Sequence, residues 1–174
     1  MRRRSIRHYR TDPIPEADLW ALLHIASRPP SAWNLHPWRF IVVCDPKAKG
    51  KLAEAAFGQS QVNAASAVIV LYSDMVASLA SVDDVLQPAW PEERRAKTRT
   101  GILAHFAKMT PQQRDQWGAS QSYVALGYLL LAAEAFGLGS SPIIGFDPAN
   151  VKEQFQLADH TAIAALVALG YPAK

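Results

Sequence analysis

The chain has little of what announces many common chemistries. It holds one cysteine in 174 residues, Cys44, so an internal disulfide is excluded and a reducing compartment is expected. Cys44 follows Phe40-Ile41-Val42-Val43, which predicts a buried core thiol. The five histidines (His8, His24, His36, His105, His160) never fall at metal-ligand spacing with one another or with Cys44, so no metal site is expected. There is no Gly-x-Ser-x-Gly elbow and no Walker loop. Gly137-Leu138-Gly139 resembles the start of a dinucleotide fingerprint, but it follows a helical pattern and the third glycine is misplaced, which argues against a Rossmann site. Charge is sparse as well. At 19% charged residues and a net charge of +3, the chain does not demand a nucleic-acid partner. Its most apolar stretch, Tyr123 to Phe136, contains Glu134 and is too short to span a bilayer. No apolar run follows the basic N-terminus, so no secretory signal is read there, and a cytoplasmic, membrane-free protein is expected.

What is present suits a single domain over residues 1–174. With 49% hydrophobic residues, a chain of this length can bury a substantial core. Leu19, Leu22, Leu23 and Ala26 recur at helical spacing after Asp12-Pro13-Ile14-Pro15, and Pro29-Pro30 stops that helix. Residues 39–44 and 67–72 read as strands, with a helix opened by Pro46 between them. Helices are expected over 92–108, over 111–136 with Thr110 and Gln113 as a capping box, and over 148–155. The residues 161–169 form a last continuous apolar run, read as a central strand. Such an order is α+β and lacks the steady alternation of a doubly wound sheet. Leu129 and Leu131 make the long helix apolar nearly all round, so it is buried on several sides, in the centre of the fold or against a second subunit.

Three segments carry candidate chemistry. Arg3-Arg4-Ser5-Ile6-Arg7 supplies guanidinium forks and a hydroxyl that match phosphate oxygens, though a solvated terminus would have the same composition. Pro30-Ser31-Ala32-Trp33-Asn34-Leu35-His36-Pro37-Trp38 is a bend in which Ser31 and Asn34 present polar groups, while Trp38 reads as a core corner. Gly139-Ser140-Ser141-Pro142-Ile143-Ile144-Gly145-Phe146 reads as a turn-forming stretch where backbone N–H groups can approach a ligand; an ordinary loop is the alternative.

In this order and at these separations, the three segments resemble the FMN-dependent nitroreductase family over nearly the whole chain. The resemblance implies a nitroreductase-like α+β fold, a central mixed or antiparallel sheet flanked by helices, assembled as an intertwined homodimer with FMN at the subunit interface. It implies that Arg3, Arg4 and Ser5 hold the FMN phosphate and that Arg7 reaches the ribityl chain or pyrimidine edge. Pro30, Ser31 and Asn34 would come from the other subunit. Pro142 and Ile143 would pack on the ring, with the N–H groups of Ile144 and Gly145 facing its N5 and O4, and Gln61 or Asn63 on the pyrimidine side. The activity implied is hydride transfer from NADH or NADPH through FMN to a nitroaromatic or quinone-like acceptor, a small aromatic molecule, by a ping-pong sequence with no catalytic acid or base. Another oxidation on the same fold (desaturation or flavin breakdown) and a non-enzymatic FMN carrier are the alternatives. Three departures from the family pattern stand out. His36 replaces a common glutamine, and Ile144 replaces a common acidic residue. The basic pair many members carry beyond the last strand has no counterpart before Lys174, so Arg3, Arg4 and Lys174 carry the phosphate or FMN is held loosely. Trp90, Phe106 and Trp117 either shape the acceptor side or belong to the core.

Overall fold

The computed structural model describes residues 3–173. Lys174, named above for the phosphate, lies outside the described residues. Four strands form one sheet in the order β1-β2-β4-β3: β1 (Trp38–Val43), β2 (Ala67–Ser73), β3 (Gly139–Ile143) and β4 (Ala162–Gly170). All three strand pairs are antiparallel. Seven α-helices surround the sheet: α1 (Glu16–Ala26), α2 (Pro46–Ala55), α3 (Ser60–Ala64), α4 (Met75–Ala80), α5 (Glu92–Ala107), α6 (Pro111–Ala135) and α7 (Pro148–Phe155).

The central strands are apolar at nearly every position because both faces of the sheet are covered. Alternate residues therefore feed two cores. Ala67, Ile69 and Leu71 of β2, with Val167 and Leu169 of β4, pack against α1 and α6. Val68 and Val70, with Leu166 and Ala168, pack against α2, α3 and α7. A third cluster, Leu35, Met75, Val82, Leu86, Ile102 and Phe106, lies beneath α5. A bulge at Leu71/Tyr72 puts Ala164 out of register, and the Tyr123 hydroxyl of α6 donates to the Ala164 carbonyl at 3.1 Å.

Local signals place most helix ends. The Asp45 carboxylate accepts from Ala48 N at 2.8 Å and Pro46 occupies the first turn of α2. The Thr110–Gln113 capping box forms as expected. Gly137 takes the left-handed conformation that ends α6, at φ 71°.

Several expectations are corrected. Cys44 is exposed, because it lies just past the end of β1 at the turn into α2. Helix α6, read as buried on several sides, is buried along one stripe through Ser122, Ala125, Leu126, Leu129, Ala132 and Ala133, whereas Leu131 and Tyr123 are half-exposed. The stretch Gly139–Ile143, read as a turn, is an edge strand. Pro142 disguises it. Pro142 pairs with Val167 at a register position where no ladder N–H is required, and only an edge strand tolerates this. Helices α3 and α4, at five and six residues, are too short for periodicity to reveal.

Candidate functional site

The N-terminal segment is laid along the free edge of β3. Ser5 bridges Ser140 in parallel, and Ile6 N donates to Ser140 O at 2.9 Å. Gly139 permits that approach, since a Cβ there would stand 2.9 Å from the Ile6 Cβ. Tyr9 pins the far end of the segment: its hydroxyl donates to Ile6 O and lies 3.2 Å from Ala168 O. Burial pushes the Tyr9 phenol well above its ordinary pKa, so it stays a neutral donor.

Side chains alternate along this extended segment. Ile6 faces Gly139, and Arg4 lines a hollow with Ile6, Glu134, Gly137 and Pro172. Arg3 and Ser5 fall on the opposite side. Arg3 Nη1 is buried with no hydrogen-bond partner among the described residues; Nε of Arg95 and of Arg114 share that condition on α5 and α6. A buried guanidinium nitrogen without an acceptor is costly, so an anion at Arg3 is chemically favoured. Arg7 is exposed on the Arg3 side.

At its far end β3 offers a second set of donors. Because Pro142 occupies a non-hydrogen-bonded pair, Ile143 faces β4 with its backbone groups and Ile144 N–H points away, toward the free edge. The Ile144 side chain is 74% exposed. Pro142 is half-buried, while the Ile143 side chain is buried in the α2–α7 core, which leaves only its backbone for any ring. The 144–147 loop is tied to the chain before α3. Gln59 Nε2 donates to Gly145 O at 2.8 Å, Gln61 Nε2 donates to Gln59 Oε1 at 2.9 Å, and Asp147 N donates to Ala55 O at 2.8 Å. Gln61 is thus a buried brace of this loop, and Asn63 is exposed. Gln59, which sequence reasoning missed, makes the direct contact. Its only signal was its closeness to Gln61.

The bend before β1 is held in a strained form. Trp33, Asn34 and His36 all have positive φ, at 53°, 60° and 41°. Left-handed backbone at three non-glycine residues persists only where surroundings over-determine it, and such strain concentrates at functional sites. Here the Ser31 hydroxyl oxygen accepts from His36 N at 2.9 Å, and Gln121 of α6 accepts from Ala32 N at 3.1 Å. Arg39 Nη1 donates to the carbonyls of His36 and Trp38, both at 2.9 Å. Asp74 N donates to Pro37 O at 3.0 Å. Trp33 packs on His105, Phe106 and Trp117, with ring centroids 4.9, 5.5 and 6.1 Å away. Pro30 and Asn34 are exposed, and Trp38 is buried in the first core. Neither Arg39 nor Gln121 was legible as a brace in the sequence.

Burial holds the His36 imidazole below its ordinary pKa; the nearby Arg28 cation adds to this and the Pro29 carbonyl opposes it. The unfolded chain therefore takes up the proton first as pH falls. The His36 contribution to stability is present above about pH 6.5 and is lost as pH drops toward the depressed folded value. Thermal melts on either side of about pH 6.5 should show a steeper acid loss in Tm for the native chain than for His36→Gln. Equal slopes would exclude His36 as the cause.

Within one chain, Arg3, Ser5, Ile144 and Gly145 lie along the β3 edge, whereas Ser31 and Asn34 lie in the bend that leads into β1, the strand at the opposite edge. Three strand spacings, about 14 Å, separate the two edges.

A model of the nitroreductase family matches residues 1–171. The chain belongs to the nitroreductase family. It is 52% identical over 174 residues to a Thermus thermophilus protein named NADH dehydrogenase, covering 100% of the chain and 85% of that protein. It is 29% identical over 162 residues to an oxygen-insensitive NADPH nitroreductase of Helicobacter pylori, covering 88% of the chain and 75% of that protein. A structure from Exiguobacterium sibiricum solved in complex with FMN superposes with a TM-score of 0.89 at 28% identity, covering 99% of this chain and 85% of that one. The chain is therefore an oxidoreductase with the α+β fold that its motifs implied. No described helix is long and apolar enough to cross a membrane.

Proposed function

We propose that this protein binds FMN as a homodimer and passes hydride from NADH or NADPH to nitroaromatic or quinone-like acceptors by a ping-pong sequence in the cytoplasm. The observation that carries the reading is the orphaned, buried Nη1 of Arg3, set on a sheet edge whose other end turns the Ile144 N–H outward. A phosphate at one end and a flat hydrogen-bonding ring at the other fit that edge.

Bound there, FMN supplies the N5 atom that takes hydride from one partner and yields it to the next. The chain's own residues position and exclude. Arg3 and Ser5 hold the phosphate, with Arg7 at the edge of the same segment. The N–H groups of Ile144 and Gly145 donate to the ring edge, and Pro142 packs against it. Gln59 and Gln61 hold the loop that aims those donors. No acid or base is needed for hydride transfer, so none is assigned.

Ser31 and Asn34 come to such a ring from a second subunit, their own bend leading into β1 at the opposite edge of the sheet from β3. Tyr123, Val124, Tyr128 and Leu131 form an exposed apolar stripe on α6 suited to burial against that subunit. The names of the Thermus and Helicobacter relatives support NADH and NADPH as alternative hydride donors.

The deciding test is a visible spectrum after FMN is added and the excess removed by gel filtration, followed by NADH or NADPH without oxygen. Flavin bands that co-elute at dimer mass and bleach on adding the nicotinamide are expected. A coloured dimer that does not bleach would leave a carrier or another oxidation, and a colourless one would remove the cofactor assignment.

A further inference from the structure

Behind the strained bend lies a cavity of about 280 Å³ that shares only Asn34 with the proposed flavin site. Val85, Leu86 and Ile102 form its apolar base, and the indoles of Trp33 and Trp90 stand in its walls. Its polar lining is Gln87 and Thr98, joined by Asn34 from the bend. None of these groups carries a charge. Trp90 in turn carries the Arg94 guanidinium, held over its ring at 4.0 Å from the centroid. Arg94, Thr98 and Ile102 recur every four residues, so one stripe of α5 runs from that cation to the cavity floor.

The charges around the mouth leave Arg94 available. Arg99 is paired with Asp83 at 2.8 Å, and Arg95 lies 3.5 Å from Glu92. Among the described residues Arg94 has no carboxylate within ion-pair distance. Asp84 and Glu93 are the remaining acids on the flanking turn and helix start, and neither forms an ion pair.

We propose that this cavity binds a small aromatic carboxylate, its ring among Trp33, Trp90 and the aliphatic base and its carboxylate on Arg94. The cavity's size suits a single ring better than a larger ligand. Aromatic walls favour a flat π system, and a free guanidinium at the rim selects an anion by a bidentate pair. Asn34 touches both this cavity and, under the reading above, the partner's flavin. The proposal rests on that reading only for the consequence that an acid held here stands beside the redox centre.

Binding is read by heat, so it is scored whether or not FMN is retained. The full chain, with FMN and without it, is titrated calorimetrically with benzoate and with benzamide at low ionic strength. Benzoate is expected to bind at least about tenfold tighter, with the preference falling as salt is added. Arg94→Gln should erase the preference while leaving benzamide binding unchanged, and Arg94→Lys should keep part of it. Arg10→Gln, remote and paired with Asp12, should change nothing. Equal affinities, no heat with benzoate, or a preference that survives Arg94→Gln would each overturn the assignment. A colourless protein that still prefers benzoate would sink the flavin reading alone.

Discussion

Arg3→Ala is expected to lower FMN affinity between about tenfold and about a hundredfold while the chain stays folded. A hydrogen bond to a charged group is worth about 1.5–3 kcal/mol, and each 1.4 kcal/mol is about tenfold. Arg3 contributes little to the fold itself, since its Nη1 has no protein partner among the described residues to lose. Arg4→Ala is the matched control. It removes the same charge one position along, on the Ile6 side, where Arg4 faces Glu134 and Gly137, and it should change affinity only slightly. Arg3→Lys should recover part of the loss, because a point charge replaces some of the attraction but none of the planar fork. Flavin fluorescence titrations measure all three, with circular dichroism to verify folding. Equal losses from Arg3→Ala and Arg4→Ala would mean that net charge, and not the alternation along the segment, governs phosphate binding.

Phe106→Ala is expected to cost about 3–5 kcal/mol of unfolding free energy. Phe106 is 1% exposed and holds the third core together with Ile102, Leu86 and Met75. It also meets Trp117 edge-on at 4.8 Å and Trp33 at 5.5 Å, so its loss opens a cavity and breaks two aromatic contacts. For a chain of this size the melting temperature should fall by roughly 6–20 °C. Phe106→Leu should cost much less, as it fills more of the space. Urea unfolding would give the free energies, and a red-shifted tryptophan emission in Phe106→Ala would report the freed Trp33. A loss below about 1 kcal/mol would show that the α5–α6 hairpin collapses onto the gap or contributes little to stability. Because Trp33 steadies the bend that carries Ser31 and Asn34, a second, weaker effect on flavin binding is expected in the same variant.

The legible parts of this chain were those where one local rule acts alone. Leu19, Leu22, Leu23 and Ala26 predict the buried face of α1, and all four are buried. Thr110 and Gln113 predict the cap they form. The failures share a cause: a residue's role was set by a neighbour distant in sequence. Gly139–Ile143 has turn composition, yet it becomes a strand because β4 and the N-terminal segment lie on either side of it. Cys44 follows an apolar run, yet the strand ends at Val43. Gln59 and Gln121 look like ordinary surface amides, and only the packing of loop on loop and helix on bend turns them into braces.

The sequence by itself determined the family and the chemistry available to it. Arginines, a serine, a polar bend and a glycine-flanked apolar segment occur in an order that needs no coordinates to read, because motif order is a property of the chain. Tertiary structure alone decided which of those groups meet. Strand alternation put Arg3 and Arg4 on opposite sides of one segment, and the register of Pro142 against Val167 turned the Ile144 N–H outward. Sheet order set β1, which the bend leads into, and β3, which the N-terminal segment lies along, at opposite edges. Those outcomes depend on pairing between strands far apart in the chain, and no local pattern of residues encodes them.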